Sequence, residues 1–109
     1  MEVRIDAKHI VDAQSFHTVF ANAFGFPDFY GRNMNAWIDC MTYLDDPDAS
    51  LSKVRVTNGD VLSLVIENAA EFKARCPKEF SALLECSAFV NWRRIEQGGS
   101  PILAVSIDA

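Results

Sequence analysis

The stretch Val61-Leu62-Ser63-Leu64-Val65-Ile66 is apolar at every position but one. A run this short and this apolar reads as a central β-strand covered on both faces. Just before it, Thr57-Asn58-Gly59-Asp60 carries the Asn-Gly pair of a two-residue turn, with Lys53–Val56 beyond. That order predicts a hairpin whose first arm is an extra strand before the central one. After the strand, Asn68 and Glu71 have capping-box spacing and open a short helix that stops near Cys76. Pro77 suits the first turn of a longer helix, with Phe80, Leu83, Leu84, Ala88 and Trp92 as its apolar stripe. Gly98-Gly99 closes that helix, and Ile102–Ile107 reads as a last strand.

Toward the N-terminus, Met1–Ile5 alternates as a short strand. Asp12 is placed to cap a helix carrying Phe16, Val19, Phe20, Ala23 and Phe24, and Gly25 stops it. A bend from Gly25 to Gly31 leads to Asn33, a good N-cap for a second helix that runs to about Leu44. The order is β, α, α, hairpin, α, α, β. Strands separated by helices imply right-handed crossovers. The expected fold class is therefore α/β: a small, mainly parallel three-stranded sheet packed by about four helices, with the extra hairpin strand. No repeats or linkers divide the chain, so residues 1–109 are expected to form a single domain.

Composition narrows the function. Half of the 109 residues are apolar, enough for a core without metals or disulfides. No apolar run approaches membrane-spanning length, and the opening residues lack the basic-then-apolar order of a signal peptide. A cytoplasmic protein is expected. A formal net charge of −5 argues against direct nucleic-acid binding and favours a basic protein partner. Cys40, Cys76 and Cys86 are odd in number and sit among apolar residues, so they read as buried reduced thiols.

Catalytic and metal-binding signals are sparse. His9 lies in a polar turn and His17 beside an apolar stripe, and both read as ordinary imidazoles. No zinc spacing, nucleophile elbow or glycine-rich phosphate loop occurs. Asp45, Asp46 and Asp48 lack the glycine and the closing glutamate of a calcium loop, and read as a solvated acidic turn. Neither an enzyme nor a cofactor or metal is expected. Phe26, Phe29 and Tyr30 crowd a tight loop; burial under it is the default, and an outward interface anchor is the alternative.

The second helix has Met34, Trp37, Ile38, Met41 and Leu44 as one stripe. Asn35, Asp39 and Thr42, spaced i, i+4 and i+7, should share the opposite face. Asp39 taken alone is a solvated helix residue. The run from Phe26 to Thr42, with Pro27, Asp28, Phe29-Tyr30, Gly31, Asn33 and the downstream Asp39-Cys40, resembles the signature of the barstar family. Its members are intracellular inhibitors of secreted ribonucleases of the barnase type. The resemblance is dense over about residues 20–44 and implies a helix and loop that enter the basic cleft of a nuclease. It implies that Asp39 stands where a substrate phosphate would, flanked by Asn35 and Thr42. It further implies that Phe29 lies over the catalytic histidine and that Gly31 permits close backbone approach. Ile38 and Asp46 complete the expected partner-binding set, with Asp28 and Asp45 nearby.

The chain also departs from the family's barnase inhibitor. That inhibitor has an acidic residue at the place of Asn35, a phenol at Phe29 and a Trp at Ile38. Its second acidic contact falls near Arg93 or Arg94 here, where a cation would repel a basic cleft. Residues 45–60 are additional. A non-inhibitory interaction module on the same fold, or an immunity protein against another toxin, is the alternative reading.

Overall fold

The structure, a computed structural model, describes residues 1–109. Its sheet has the order β1-β2-β3, where β1 is Glu2–Asp6, β2 is Leu62–Glu67 and β3 is Leu103–Ile107. Both pairings are parallel, with Val3, Leu64 and Val105 in register across the sheet. The helices are α1 (Ala13–Phe24), α2 (Met34–Thr42), α3 (Ala69–Arg75) and α4 (Pro77–Glu96), with a 3-10 turn at Ala7–His9. Parallel crossovers that share the usual right hand and step in one direction, β1 to β2 to β3, put their helices on one face. Ile5, Leu62, Leu64, Ile66 and Leu103 point into the core on that side. Glu2, Arg4, Ala104 and Ser106 lie exposed on the other.

Two expectations for the central strand are corrected. β2 is not covered on both faces: Ser63 and Glu67 point outward and are half-buried, and Val65 is shielded in register by the flanking Arg4 and Ser106. Nor does a hairpin strand form. Both edges of β2 are occupied by parallel partners, so no ladder position remains for Lys53–Val56. The Thr57–Asp60 turn does close, with Asp60 N–H donating to Thr57 O at 2.9 Å. The preceding segment instead satisfies the ends of two helices. Lys53 N–H donates to Phe24 O at 2.8 Å, and Val56 N–H donates to Leu44 O at 3.0 Å.

The helix termini follow local chemistry. Asp12 and Ser15 form a reciprocal capping box on α1, and Asn33 Oδ1 accepts from Ala36 N–H at 2.8 Å on α2. Gly25 ends α1 at φ +66°, a left-handed conformation that would cost about 1 kcal/mol with a side chain. The capping box expected at Asn68 is absent. Asn68 itself is left-handed (φ +58°), and its Nδ2 donates to Asp6 Oδ1 at 2.7 Å across the sheet end.

The buried line of α4 is Leu83, Ser87 and Val90, rotated from the stripe expected from sequence. Leu84, Ala88 and Trp92 face outward with Phe89 and Ile95. Asn91 fixes that rotation by accepting from Ile102 and Leu103 N–H and donating to Leu103 O. No helix is long and apolar enough to cross a membrane.

Candidate functional site

The candidate surface is built by the Gly25–Gly31 bend and α2. Phe26 and Tyr30 pack beneath the bend with ring centroids 4.7 Å apart, and Tyr30 N–H donates to Pro27 O at 2.9 Å. The Tyr30 hydroxyl is hydrogen-bonded to His17 Nδ1 on α1. Burial holds the His17 pKa down, helped by the Arg32 charge, and burial raises that of Tyr30. These inward anchors leave Phe29 at the apex, 77% exposed. Of the three loop aromatics, two pack and one projects.

Arg32 then enters α2 at φ +53°, its guanidinium donating to Gln14 O and Oε1 and to Thr18 Oγ1. Three acceptors on α1 hold that strained residue in place. Nothing inside the fold demands glycine at 31. A Cβ there would meet Ala36 and Asn33 at 3.4 Å, the edge of ordinary contact.

Phe29, Gly31 and Asp39 come together on the rim of one hollow of about 210 Å³, floored by Tyr30, Cys40 and Leu51. Leu51 belongs to the 45–60 segment after α2, a contributor that the spacing of the sequence does not reveal. Burial, with Asp39 adding to it, pushes the Cys40 thiol up to about 11, so it is neutral and unreactive. Asn35 is exposed one turn before Asp39, whereas Ile38 is half-buried and packs against the core.

One of the expected contact residues is placed otherwise. Thr42 does not share the exposed face of Asn35 and Asp39. It is 1% exposed, and its hydroxyl donates back to Ile38 O at 2.6 Å as the helix ends. Asp46 lies in the turn after α2, where its Oδ1 accepts from Asp48 N–H at 2.9 Å.

Two α4 cations complete the surface. Arg93 Nη1 donates to Asp39 Oδ1 at 2.9 Å, with the Asp39 side chain 55% exposed and its Oδ2 without a partner in the chain. The Arg93 guanidinium also lies 6.0 Å from the Tyr43 ring. Arg94 grips Asp45 with two bonds of 2.6 and 3.0 Å and donates to Thr42 O and Ser100 O. That hydrogen-bonded guanidinium holds the Asp45 carboxyl below its usual range. The sequence offered no signal for either pairing, because the partners lie 54 and 49 residues apart.

The whole arrangement is a shallow, mostly apolar hollow with one accessible carboxylate and one projecting aromatic ring. No three His, Cys, Asp or Glu residues are grouped to hold a metal ion. Such a surface can receive a cationic side chain; it has no converging acid, base and nucleophile. Residues 1–103 match the family model described as Barstar (barnase inhibitor). No curated protein matches the chain.

Proposed function

The chain belongs to the barstar family, and from that premise we propose that it is a cytoplasmic inhibitor, of immunity or antitoxin type, of a basic ribonuclease. The observation that carries this reading is Asp39. Its carboxylate stands on an open rim beside Phe29 and Gly31, with Oδ2 free to accept from an incoming cation. In the nuclease cleft it takes the place of a substrate phosphate and receives charge-assisted hydrogen bonds from Arg, Lys or His. Phe29, already extended into solvent, covers the catalytic imidazole. Gly31 lets the nuclease approach the backbone where any side chain would stand between them. Asn35 adds a neutral hydrogen bond at the edge. The protein acts by occupying a site, not by turning over a substrate.

The acidic balance of the chain favours encounter with a cationic protein and makes the association salt-sensitive. Titration of a barnase-type ribonuclease with wild type and Asp39→Ala, at low and high salt, tests the reading. The alanine variant is expected to lose about 2–5 kcal/mol of affinity, a range for which barnase–barstar is itself a source. Equal inhibition by both folded proteins would remove Asp39 from this role.

The Arg93–Asp39 ion pair favours a second reading, a non-inhibitory interaction module on the same fold, because the key carboxylate already has an internal counter-ion. Failure to inhibit any basic nuclease, together with capture of a discrete non-nuclease partner lost in Asp39→Ala, would select it.

A further inference from the structure

Once a partner's cation takes Asp39, Arg93 loses its counter-ion. No other carboxylate lies within 4.0 Å of it, and its side chain is only 30% exposed before any partner arrives. Covering it without a new anion would leave an unpaired charge in an interface, which is strongly unfavourable. Its neighbours are themselves unusual for a surface. Phe89, one turn earlier, and Trp92 touch at a tilt with ring centroids 5.6 Å apart and are 44% and 56% exposed. Ile95 continues the apolar strip at 54% exposure. An arginine beside two exposed aromatics has the composition of an interface centre, not of a solvated helix face.

We propose that the ribonuclease extends from α2 onto α4 and presents a carboxylate to Arg93, next to the cation it gives to Asp39. In this exchange both internal partners are replaced at once, and an apolar group of the nuclease covers Phe89 and Trp92. The partner is thus specified by chemistry: a cationic cleft with an acidic residue on its rim, flanked by apolar surface. A cleft lined only by cations would be repelled at Arg93, so the exchange also sets specificity. This inference rests on the reading of Asp39 as a contact.

The test uses a barnase-type ribonuclease and a set of its variants in which single Lys or Arg residues around the cleft are replaced by Glu. Each is titrated against full-length wild type, Asp39→Ala, Arg93→Ala, Arg93→Glu and Trp92→Ser, with folding checked by circular dichroism. At least one reversal to Glu is expected to tighten wild-type binding about tenfold or more. That gain should vanish in Arg93→Ala and invert in Arg93→Glu. Trp92→Ser should weaken the tightened complex about tenfold while its fold persists. If every reversal weakens wild type and Arg93→Ala alike, the exchange is wrong. Concentration-dependent dimerisation of the free protein that Trp92→Ser abolishes would assign the aromatic strip to a second copy and also overturn the proposal. Failure of the underlying reading has a different signature: Asp39→Ala binds every nuclease as wild type does, or no nuclease binds at all.

Discussion

Arg93 and Arg94 are adjacent in sequence and both reach from α4 to an aspartate, yet their surroundings make them opposites. The Arg94–Asp45 pair is nearly enclosed, with side-chain exposures of 12% and 14%, and the guanidinium also binds two backbone carbonyls. The Arg93–Asp39 pair has one hydrogen bond and exposures of 30% and 55%. The first clamps the C-terminal end of α2 and the turn after it against α4. The second lies across the open rim that carries the proposed binding residues. One residue of helix, about 100° of rotation, thus separates a structural clamp from the contact proposed to be exchangeable. Solvent access, more than charge, divides the two roles.

The widest separation is expected between the two aspartates. Asp39→Ala should cost about 2–5 kcal/mol of affinity for the nuclease while unfolding stability stays within about 0.5 kcal/mol. Asp45→Ala should do the reverse, lowering stability with little direct effect on binding after correction for the folded fraction. Urea unfolding and inhibition titrations on the same preparations check both halves. Equal behaviour of the two variants would erase the distinction.

Arg94→Ala is the next largest effect. It leaves Asp45 charged and largely buried and removes the donor to Thr42 O and Ser100 O. A loss of about 3–4 kcal/mol in unfolding free energy is expected, because breaking an enclosed pair strands its partner. Arg94→Lys should recover only part of this, since an ammonium cannot reproduce the forked contact. A loss under about 1 kcal/mol would show that the pair is solvated in solution.

That clamp marks the limit of what the sequence could show. The caps at Asp12 and Asn33 and the stop at Gly25 are local, written within four residues, and the structure has them where the sequence put them. The order of helices and strands follows from such signals. The hairpin failed because Asn58-Gly59 specifies a turn but not which edge its arm will meet, and both edges of β2 were already taken. Asn35, Asp39 and Thr42 have correct helical spacing, but the end of α2 and the Thr42 back-bond to Ile38 decide which of them reach solvent. Phe29, Gly31 and Asp39 were legible as a group only through a family signature; hydrophobicity alone favoured burying Phe29. Arg93 was legible as a cation near the family's second acidic contact, but its pairing with Asp39, 54 residues away, was not. Long-range pairing is the part that a one-dimensional pattern cannot carry.

Acid sharpens the clamp further. The Asp45 pKa is lower folded than unfolded, so the unfolded chain binds the proton more tightly. The stability that this difference supplies is complete above the unfolded value near 4 and is lost as pH falls through the folded one. The stability gap between wild type and Asp45→Asn should therefore be constant from pH 7 to about 5 and narrow below about 4. A gap that does not change with pH would assign the clamp to shape and hydrogen bonding instead of charge.

Arg93→Ala should change stability only slightly, and for that reason it bears directly on the proposed binding surface. The pair it breaks has one bond and an aspartate more than half exposed, so its loss should cost no more than about 0.5–1 kcal/mol in unfolding. Part of that comes from the Arg93 stem and its position near the Tyr43 ring rather than from charge. Freed of its internal counter-ion, Asp39 should then bind a purely cationic cleft more tightly than it does in wild type, with the gain entering mainly through a slower dissociation rate. Stopped-flow association and dissociation, read alongside urea unfolding, separate the two quantities. A stability loss comparable with that of Arg94→Ala would make Arg93 a second clamp, and Asp39 would then have to break a structural contact before it could meet any partner.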